Sequence, residues 1–275
     1  MHTGKPRVIC VLLWDARSLI KTRCFSEDRR LGPLAQALGV MSARDVDEIL
    51  LLDVGASRSG REFDLELCAE AASMCSVPLT VGGGIRDLST AKLCLGHGAD
   101  RVALTSAALK KPWLINEMAE NLGSSNLVVG IDYRGEHGAE WCYADSGRTR
   151  GEIPLRAWVR EVSERGAGEV VLHSIERDGT LGGMDVALGE EIAGSCNRPV
   201  VLVGGLGSAG DASKALRSRR IAGVGVGAAF HFTELTPNVI REQMRRDGLP
   251  TRRTAGLEAS GVALGQPSLA PRSRS

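Results

Sequence analysis

The segment VPLTVGGGIRD (residues 77–87) has a near copy downstream, RPVVLVGGLGS (residues 198–208). Each segment is an apolar run that ends in consecutive glycines. Pro78 and Pro199 are 121 residues apart (199 − 78), and the same offset superposes the glycines of the two segments. It also superposes ILLLDVGAS on VVLHSIERD and GADRVALTSAA on RRIAGVGVGAA. Three matches at one offset predict a chain built from two similar halves.

Short apolar runs alternate along the chain with longer segments of mixed polarity. The predicted strands cover residues 7–13, 48–54, 79–81, 101–104, 127–132, 169–172, 200–203 and 224–227, and helical patterns such as 65–74 and 89–96 lie between most of them. Near-continuous apolar strands separated by helices are typical of a parallel sheet that is covered on its outer face. Eight such units predict a single (β/α)8 TIM barrel with a two-fold half-barrel repeat over residues 1–248, followed by a disordered tail over residues 249–275.

The overall composition restricts the classes of function. Of 275 residues, 43% are hydrophobic and 24% are charged, and a net charge of +1 gives no strong attraction to nucleic acid or membranes. The seven cysteines are scattered and contain no C-x-x-C pair, so they are expected to be reduced thiols. No apolar run is as long as the roughly 18 residues that indicate a transmembrane helix. We therefore expect a cytoplasmic protein with no nucleic-acid or membrane partner, no metal and no cofactor.

Glycines at the ends of strands allow backbone N–H groups to approach an anion closely, and a following helix N-terminus adds a favourable dipole. The two halves therefore predict two phosphate-binding cradles on one face of the barrel. The first cradle comprises Gly83, Gly84, Thr105 and Ser106, and the second comprises Asp178, Gly179, Gly204, Gly205, Gly227 and Ala228. A small molecule with a phosphate at each end is the predicted ligand. The alternative is that these glycines only permit tight strand-to-helix turns.

The motifs DEILLLDVGAS, TVGGGIRD, GADRVALTSAA, VVGIDYR, RGAGEVVLHSIERDGTLGGMD and FHF follow one another across residues 7–248. In this order they resemble the cyclase subunit (HisF-type) of imidazole glycerol phosphate synthase. The resemblance implies a barrel that receives ammonia through its centre from a glutaminase (HisH-type) partner. It also implies a reaction that cyclises a bisphosphorylated ribonucleotide and releases imidazole glycerol phosphate and an aminoimidazole carboxamide ribotide.

Cyclisation of this kind needs a general acid and a general base. In the family that this chain resembles, these are aspartates at the ends of strands 1 and 5. Asp132 in VVGIDYR matches the second aspartate, and its alternative role is to cap the strand end. Counting back from Lys21 without a gap places Leu13 at the position of the first aspartate. Asp15, two residues further on, resembles a turn residue of the family. Because leucine cannot exchange a proton, ordinary cyclase activity is expected to be weak.

The segment VLLWDARSLIKT is similar to a subgroup of cyclase-like barrels found in surface-polysaccharide gene clusters. Members of that subgroup are associated with a glutaminase-like protein and with a sugar amidotransferase that forms acetamidino groups. The resemblance implies that this barrel mainly conveys or supports the delivery of ammonia.

Four charged residues open predicted strands and match the positions of the family's salt-bridge gate at the ammonia entrance, with an arginine in place of a lysine at the third of them: Arg7, Glu48, Arg101 and Glu169. The alternative is that charged residues are common where strands begin at a solvent-facing barrel end. Asp100 matches a family residue that contacts the glutaminase. Further candidates for the substrate site are Lys21, Asp53, Ser146 and His173. A histidine at a strand end is more often a hydrogen-bonded filler than a catalyst, but His173 could also supply the missing proton-transfer group.

Three interpretations remain open at this point. The chain is an ammonia-conveying barrel of an amidotransferase system, or an authentic cyclase that has recruited Asp15 or His173, or a catalytically silent scaffold that binds a phosphorylated effector. Turnover with free ammonia distinguishes the second interpretation from the others, and stimulation by a glutaminase distinguishes the first from the third.

Overall fold

Eight parallel strands close into a barrel in the computed structural model of the protein, which describes residues 4–252. Within these residues the strands are β1 (Arg7–Trp14), β2 (Leu19–Arg23), β3 (Ser26–Gly32), β4 (Glu48–Asp53), β5 (Leu79–Gly82), β6 (Arg101–Leu104), β7 (Leu127–Glu136), β8 (Ala139–Ala144), β9 (Thr149–Pro154), β10 (Glu169–Ser174), β11 (Val200–Val203) and β12 (Ile221–Val226). The barrel order is β1, β4, β5, β6, β7, β10, β11 and β12, and β12 pairs with β1 to close the ring. The predicted (β/α)8 TIM barrel is confirmed.

Every barrel strand is followed by at least one helix before the next barrel strand, so the helices form an outer layer. Over the described residues the α-helices are α1 (Leu34–Ala43), α2 (Val54–Ser59), α3 (Leu65–Met74), α4 (Leu88–Gly96), α5 (Ser106–Lys110), α6 (Trp113–Leu122), α7 (Leu155–Glu164), α8 (Val186–Ser195), α9 (Ala209–Leu216), α10 (Ala228–Phe232) and α11 (Pro237–Arg246). None of the helices in residues 4–252 has both the length and the apolar character needed to cross a membrane.

Apolar side chains of the strands fill two separate layers, as alternation along a strand requires. On β1, Ile9, Val11 and Leu13 point into the barrel, where they join a buried cluster with Val128 and Val171. The intervening residues of β1 point outward and pack with the helices in the larger core cluster. Both faces of the sheet are therefore buried, which explains why the strands are near-continuous apolar runs.

The strand pairings of the two halves repeat residue by residue. Leu50 pairs with Thr80 in the first half, and Val171 pairs with Val201 in the second, which preserves the 121-residue offset seen in the sequence. A bulge in β12 then adds one residue to the second half. The last of the three sequence matches is therefore displaced by one position in the structure.

The first strands of the two halves are related by a different offset. Leu13 pairs with Leu52, and Asp132 pairs with His173. Because Leu52 and His173 are equivalent at the 121-residue offset, Leu13 occupies in the first half the position that Asp132 occupies in the second. Strand register thus makes Leu13, and not Asp15, the equivalent of Asp132, which is the position that the gap-free count gave to Leu13.

The sequence did not predict the two antiparallel excursions that follow the first strand of each half. β2 and β3 form a hairpin on β1, and β8 and β9 extend from β7. β3 has the sequence SEDRRLG, which lacks apolar alternation, so pairing with β2 rather than local pattern makes it a strand.

The last barrel strand also begins three residues before its predicted start, because Gly223 and Gly225 weaken the local strand signal. All seven cysteines are free thiols. The tail that was predicted to be disordered covers residues 249–275, of which residues 253–275 lie outside the described residues. Before that point Arg252 still forms ion pairs with Asp45 and Asp47, at 3.7 Å and 3.5 Å.

Candidate functional site

A cavity of about 390 Å3 opens at the carboxyl ends of the barrel strands. Inward-facing side chains of four strands line it: Leu13 of β1, Leu52 of β4, Asp132 of β7 and His173 of β10. The first cradle (Gly83, Gly84, Thr105 and Ser106) and Ser146 line the same cavity. The second cradle (Asp178, Gly179, Gly204, Gly205, Gly227 and Ala228) lines an adjoining cavity of about 20 Å3, to which Leu13 and His173 also contribute. The fold thus brings both cradles to the barrel mouth.

Steric constraints explain the glycines of the first cradle. Gly83 and Gly84 have φ angles of 84° and 77°, in the left-handed region that favours glycine. A Cβ on Gly83 would overlap the backbone of Asp53, and a Cβ on Gly84 would lie 2.6 Å from the Cβ of Ala56. The turn therefore requires glycine whether or not a ligand binds. The same absence of side chains leaves the backbone open to the cavity, so the turn and the cradle are compatible functions.

Lys21 lines the second cradle. The residue is only 5% exposed, and Nζ donates to the carbonyl oxygen of Val11 at 2.5 Å. A Cβ on Gly227 would lie 2.8 Å from this Nζ, which places the amine directly against the cradle. Burial lowers the pKa of Lys21, and the neighbouring Cys10 and Asp178 oppose that change. An anion that enters the second cradle would therefore meet an amine that is already in place.

Asp132, His173 and Asp178 form a row of titratable side chains across the mouth. His173 Nδ1 lies 3.8 Å from Asp132 Oδ1, and His173 Nε2 lies 3.3 Å from Asp178 Oδ1. Burial raises the pKa of Asp132 to about 6, although the imidazole opposes this shift. Burial also acts to raise the pKa of Asp178, but hydrogen bonds from His173 and Thr22 outweigh it and hold that pKa below its usual range. The row therefore combines a fixed negative charge with a carboxyl that titrates near neutrality.

Asp15 is held in a turn. Its Oδ1 accepts hydrogen bonds from the backbone N–H groups of Arg17 and Ser18, each at 3.3 Å, and its side chain does not line the cavity. Leu13 does line the cavity, at the end of β1. The first half of the barrel thus directs an apolar side chain to the point where the second half directs Asp132.

Asp53, another predicted substrate-site residue, lies beside the cavity rather than in its lining. Strand alternation turns it toward the helices, where Oδ1 accepts from the Ala56 N–H at 2.9 Å and from Arg61 Nη2 at 2.6 Å. Burial raises the pKa of Asp53, and these two donors oppose the shift. Its contacts are those of a helix N-cap for α2.

The predicted gate residues meet at the opposite end of the barrel. Arg7 Nη1 contacts Glu48 Oε2 at 2.8 Å and also pairs with Glu169, while Arg101 pairs with Glu48 and contacts Glu169 at 3.3 Å. These four side chains, called the ion ring below, alternate in charge around this end of the barrel. Asp100 lies beside the ring and is exposed, and its Oδ2 accepts from the Leu79 N–H at 2.8 Å.

Residues 9–236 match the family described as histidine biosynthesis protein. The chain belongs to this family. It is 35% identical over 247 residues to imidazole glycerol phosphate synthase subunit HisF of Dictyoglomus thermophilum, which covers 90% of this chain and 98% of the relative. Within the family it is therefore a HisF-type barrel.

Two further relatives carry provisional names within the same group. A protein of Leptospira borgpetersenii, provisionally named subunit HisF of imidazole glycerol phosphate synthase, is 34% identical over 83% of this chain and 91% of its own length. A protein of Pseudomonas aeruginosa, provisionally named subunit hisF2, is 37% identical over the same shares of the two chains. The chain is thus similarly identical to HisF-named and hisF2-named relatives.

Sequence reasoning missed the cations of the mouth in this HisF-type barrel. Four of them line the large cavity: Arg58, Arg86, Lys110 and Lys111. Arg58 pairs with Asp28, Arg86 donates to the carbonyl oxygen of Gly60 at 2.7 Å, and Lys110 contacts Asp145 at 2.7 Å. They lie on separate segments, near the end of α2, in the loop after β5 and at the end of α5, so no local motif unites them, although Arg86 after TVGGGI and the lysine pair after TSAAL were a usable signal. Their positive potential favours an anionic ligand.

Proposed function

We propose that this HisF-type barrel accepts ammonia from a glutaminase partner at the ion ring and delivers it to a phosphorylated small molecule at the mouth. The observation that carries the proposal is an apolar barrel interior that lies between the ion ring at one end and the polar mouth at the other. Val11, Leu50, Val128, Val171 and Val203 line the interior below the mouth. Neutral ammonia can pass such a lining, whereas charged ligands are excluded by the cost of desolvation.

We further propose that the pathway is a sugar amidotransferase pathway that forms acetamidino groups, rather than histidine synthesis. Leu13 supports this assignment because it replaces one of the two carboxylates on which the family's cyclisation depends. The ion ring keeps the charges of the family's gate, with Arg101 in place of a lysine, and both cradles keep their glycines. A barrel that keeps the charged ring and the glycine turns while losing a catalytic aspartate is suited mainly to conveying ammonia, and any reaction at its own mouth is expected to be slow.

A second candidate function is the authentic cyclase reaction of histidine biosynthesis. It is favoured by Asp132, by the paired cradles and by the similarity to HisF over nearly the whole chain. In that case the bisphosphorylated formimino substrate of the family would occupy both cradles. A third candidate, a non-catalytic scaffold that binds a phosphorylated effector, predicts ligand binding without stimulation by a glutaminase.

The experiment that tests the proposal measures docking of a HisH-type glutaminase from the same genome. Asp100→Asn removes the charge but keeps an oxygen that can accept from the Leu79 N–H, so the barrel is expected to stay folded. If Asp100 pairs with a cation of the partner in a desolvated interface, the variant should weaken the complex by about 2–5 kcal/mol. Glutamine-supported delivery of ammonia should fall with it.

The matched control is Asp132→Asn, which changes a carboxylate at the opposite end of the barrel and should leave docking intact. Unchanged affinity of Asp100→Asn would show that the docking contact is wrong. A glutaminase that binds neither wild type nor variants would favour the scaffold. Adding the barrel and glutaminase to the sugar amidotransferase, with detection of the acetamidino product by mass spectrometry, tests the pathway itself.

A further inference from the structure

We propose that His173 is the second proton-transfer group of the mouth and works beside Asp132, in place of a carboxylate on β1. The proposal rests on the proposed function, because it assumes that a phosphorylated ligand reacts with ammonia in the large cavity, and it adds that the barrel keeps residual cyclase activity. It differs from the family's arrangement of two aspartates on opposite sides of the mouth. Here the two groups lie on neighbouring strands of the same half-barrel, so both would act on one side of the ligand.

The positions of the two side chains support this pairing. His173 and Asp132 are direct register partners on β10 and β7, and both line the cavity. The separation of 3.8 Å between Nδ1 and Oδ1 is longer than a hydrogen bond. It is short enough for a single ligand atom to contact both groups at hydrogen-bond distance. Leu13, in contrast, offers no polar atom on the other side of the mouth.

Asp178 holds the imidazole in a working orientation. Its Oδ2 accepts from Thr22 Oγ1 at 2.5 Å and from the Phe25 N–H at 3.5 Å, and its Oδ1 faces His173 Nε2. The Phe25 ring packs edge-on against the imidazole, with centroids 4.7 Å apart and planes at 71°. A charged Asp178 requires a proton on Nε2, which leaves the Nδ1 lone pair directed toward Asp132. Asp178 is therefore a positioning residue.

The proton balance of this pair closes without any other reactant. Neutral His173 takes a proton from the ligand at Nδ1 and becomes an imidazolium, while the protonated Asp132 gives its proton to a neighbouring ligand atom and becomes a carboxylate. The pair keeps its net charge, and transfer of the Nδ1 proton to Oδ1 through water restores the starting state. Asp132 suits this role because its pKa of about 6 allows both forms near neutrality. The charged groups around His173 are Asp132, Asp178 and, across the second cradle, Lys21.

The test measures turnover of the family's bisphosphorylated formimino substrate with ammonium chloride, without a glutaminase. His173→Gln should lower kcat by at least about a hundredfold, the lower end of what one general acid–base group contributes. Substrate affinity by calorimetry should stay within about twofold, because glutamine can still donate to Asp178. Leu13→Asp in the His173→Gln background should restore much of the loss. The control Asp15→Asn, which keeps the turn acceptor outside the cavity, should match wild type.

Unchanged turnover of His173→Gln, no rescue by Leu13→Asp, or no measurable turnover of wild type would each overturn the proposal. A second measurement does not depend on the folding of any variant. Nitrogen NMR of wild type at pH 8 should show His173 protonated at Nε2, and protonation at Nδ1 would also overturn the proposal. Ammonium turnover that depends on His173 while glutamine gives none would leave this inference standing and reject the glutaminase partner.

Discussion

The two half-barrels share a backbone but differ in the side chains that they direct into the mouth. Leu13 and Leu52 face the cavity from the first half, whereas the register-equivalent Asp132 and His173 face it from the second. The cradle glycines are conformationally equivalent, with φ angles of 84° and 77° in the first half and 103° and 86° in the second. Steric requirements thus hold the turns alike in both halves, while residues that only border a cavity have diverged.

At the ion ring, the charged residues are distributed unequally between the two half-barrels. Glu48 and Glu169 are equivalent at the 121-residue offset, but Arg7 and Arg101 both belong to the first half. The position equivalent to Arg101 is Gly223, as its pairing through the β12 bulge indicates. The cations of the ring therefore come from one half, and the row of Asp132, His173 and Asp178 at the mouth comes from the other. A barrel built from a repeat can separate its two ends functionally in this way.

The largest expected effect comes from making the mouth of the first half resemble that of the second. Wild-type cyclisation with ammonium should be at least about a hundredfold slower than that of an intact cyclase, and Leu13→Asp should raise the rate by about the same factor, because it restores an inward carboxylate. Steady-state assays with the bisphosphorylated substrate measure both values. Leu13→Asn, similar in shape but unable to exchange protons, is the control. A wild-type rate equal to that of an intact cyclase would contradict this comparison.

Alanine at the cradle glycines tests whether the two turns are sterically equivalent. Gly84→Ala and Gly205→Ala should each lower the free energy of unfolding by about 2–4 kcal/mol, since both combine a left-handed φ with an overlapping Cβ. Gly248→Ala is the control, because its φ is 73° but its Cβ would have no atom within 4 Å. Denaturant unfolding measures all three. If only one cradle variant loses more stability than the control, the turns are not equivalent.

The pH dependence of stability should separate the two carboxylates of the second half. The folded-state pKa of Asp132, about 6, exceeds that of an unfolded aspartate, so its contribution to stability falls as pH rises through this interval. As the pH rises from about 4 to about 7, the free energy of unfolding of Asp132→Asn should therefore increase by roughly 2–3 kcal/mol relative to that of wild type. Asp178 has a lowered pKa and contributes stability above the unfolded pKa, so Asp178→Asn should change in the opposite direction. Unfolding curves at several pH values check both signs, and parallel behaviour of the two variants would refute the assignment.

The smallest expected effect concerns the ion ring. Arg101 contacts both glutamates and donates from Nε to Thr80 Oγ1 at 3.2 Å. Arg101→Lys should reduce the free energy of unfolding by about 1 kcal/mol, because a lysine cannot maintain this fork of contacts. Arg246→Lys, in an exposed pair with Glu242, is the control and should have almost no effect. Equal stabilities of the two variants would mean that the ring is no more than a surface ion-pair cluster.

Much of the fold could be predicted from the sequence because its signals are local. The apolar strand runs, the doubled glycines and the common offset depend on strand burial and on φ angles that few other residues adopt. The same signals indicated the cradles, whereas the ring residues and Leu13 were assigned through the resemblance to the family. The hairpins β2–β3 and β8–β9 were missed, since their strands depend on pairing with neighbours and lack a buried alternating pattern.

The sequence by itself determined the barrel, its repeat and the presence of Leu13 at the position where the family has an aspartate. Only the tertiary structure decided which candidates meet. It placed His173 between Asp132 and Asp178, turned Asp53 toward the helices, and folded Lys21 into the second cradle. The physical reason is that strand register and the inward or outward direction of a side chain are set by pairing between distant segments. A one-residue change of register would reverse each of these directions.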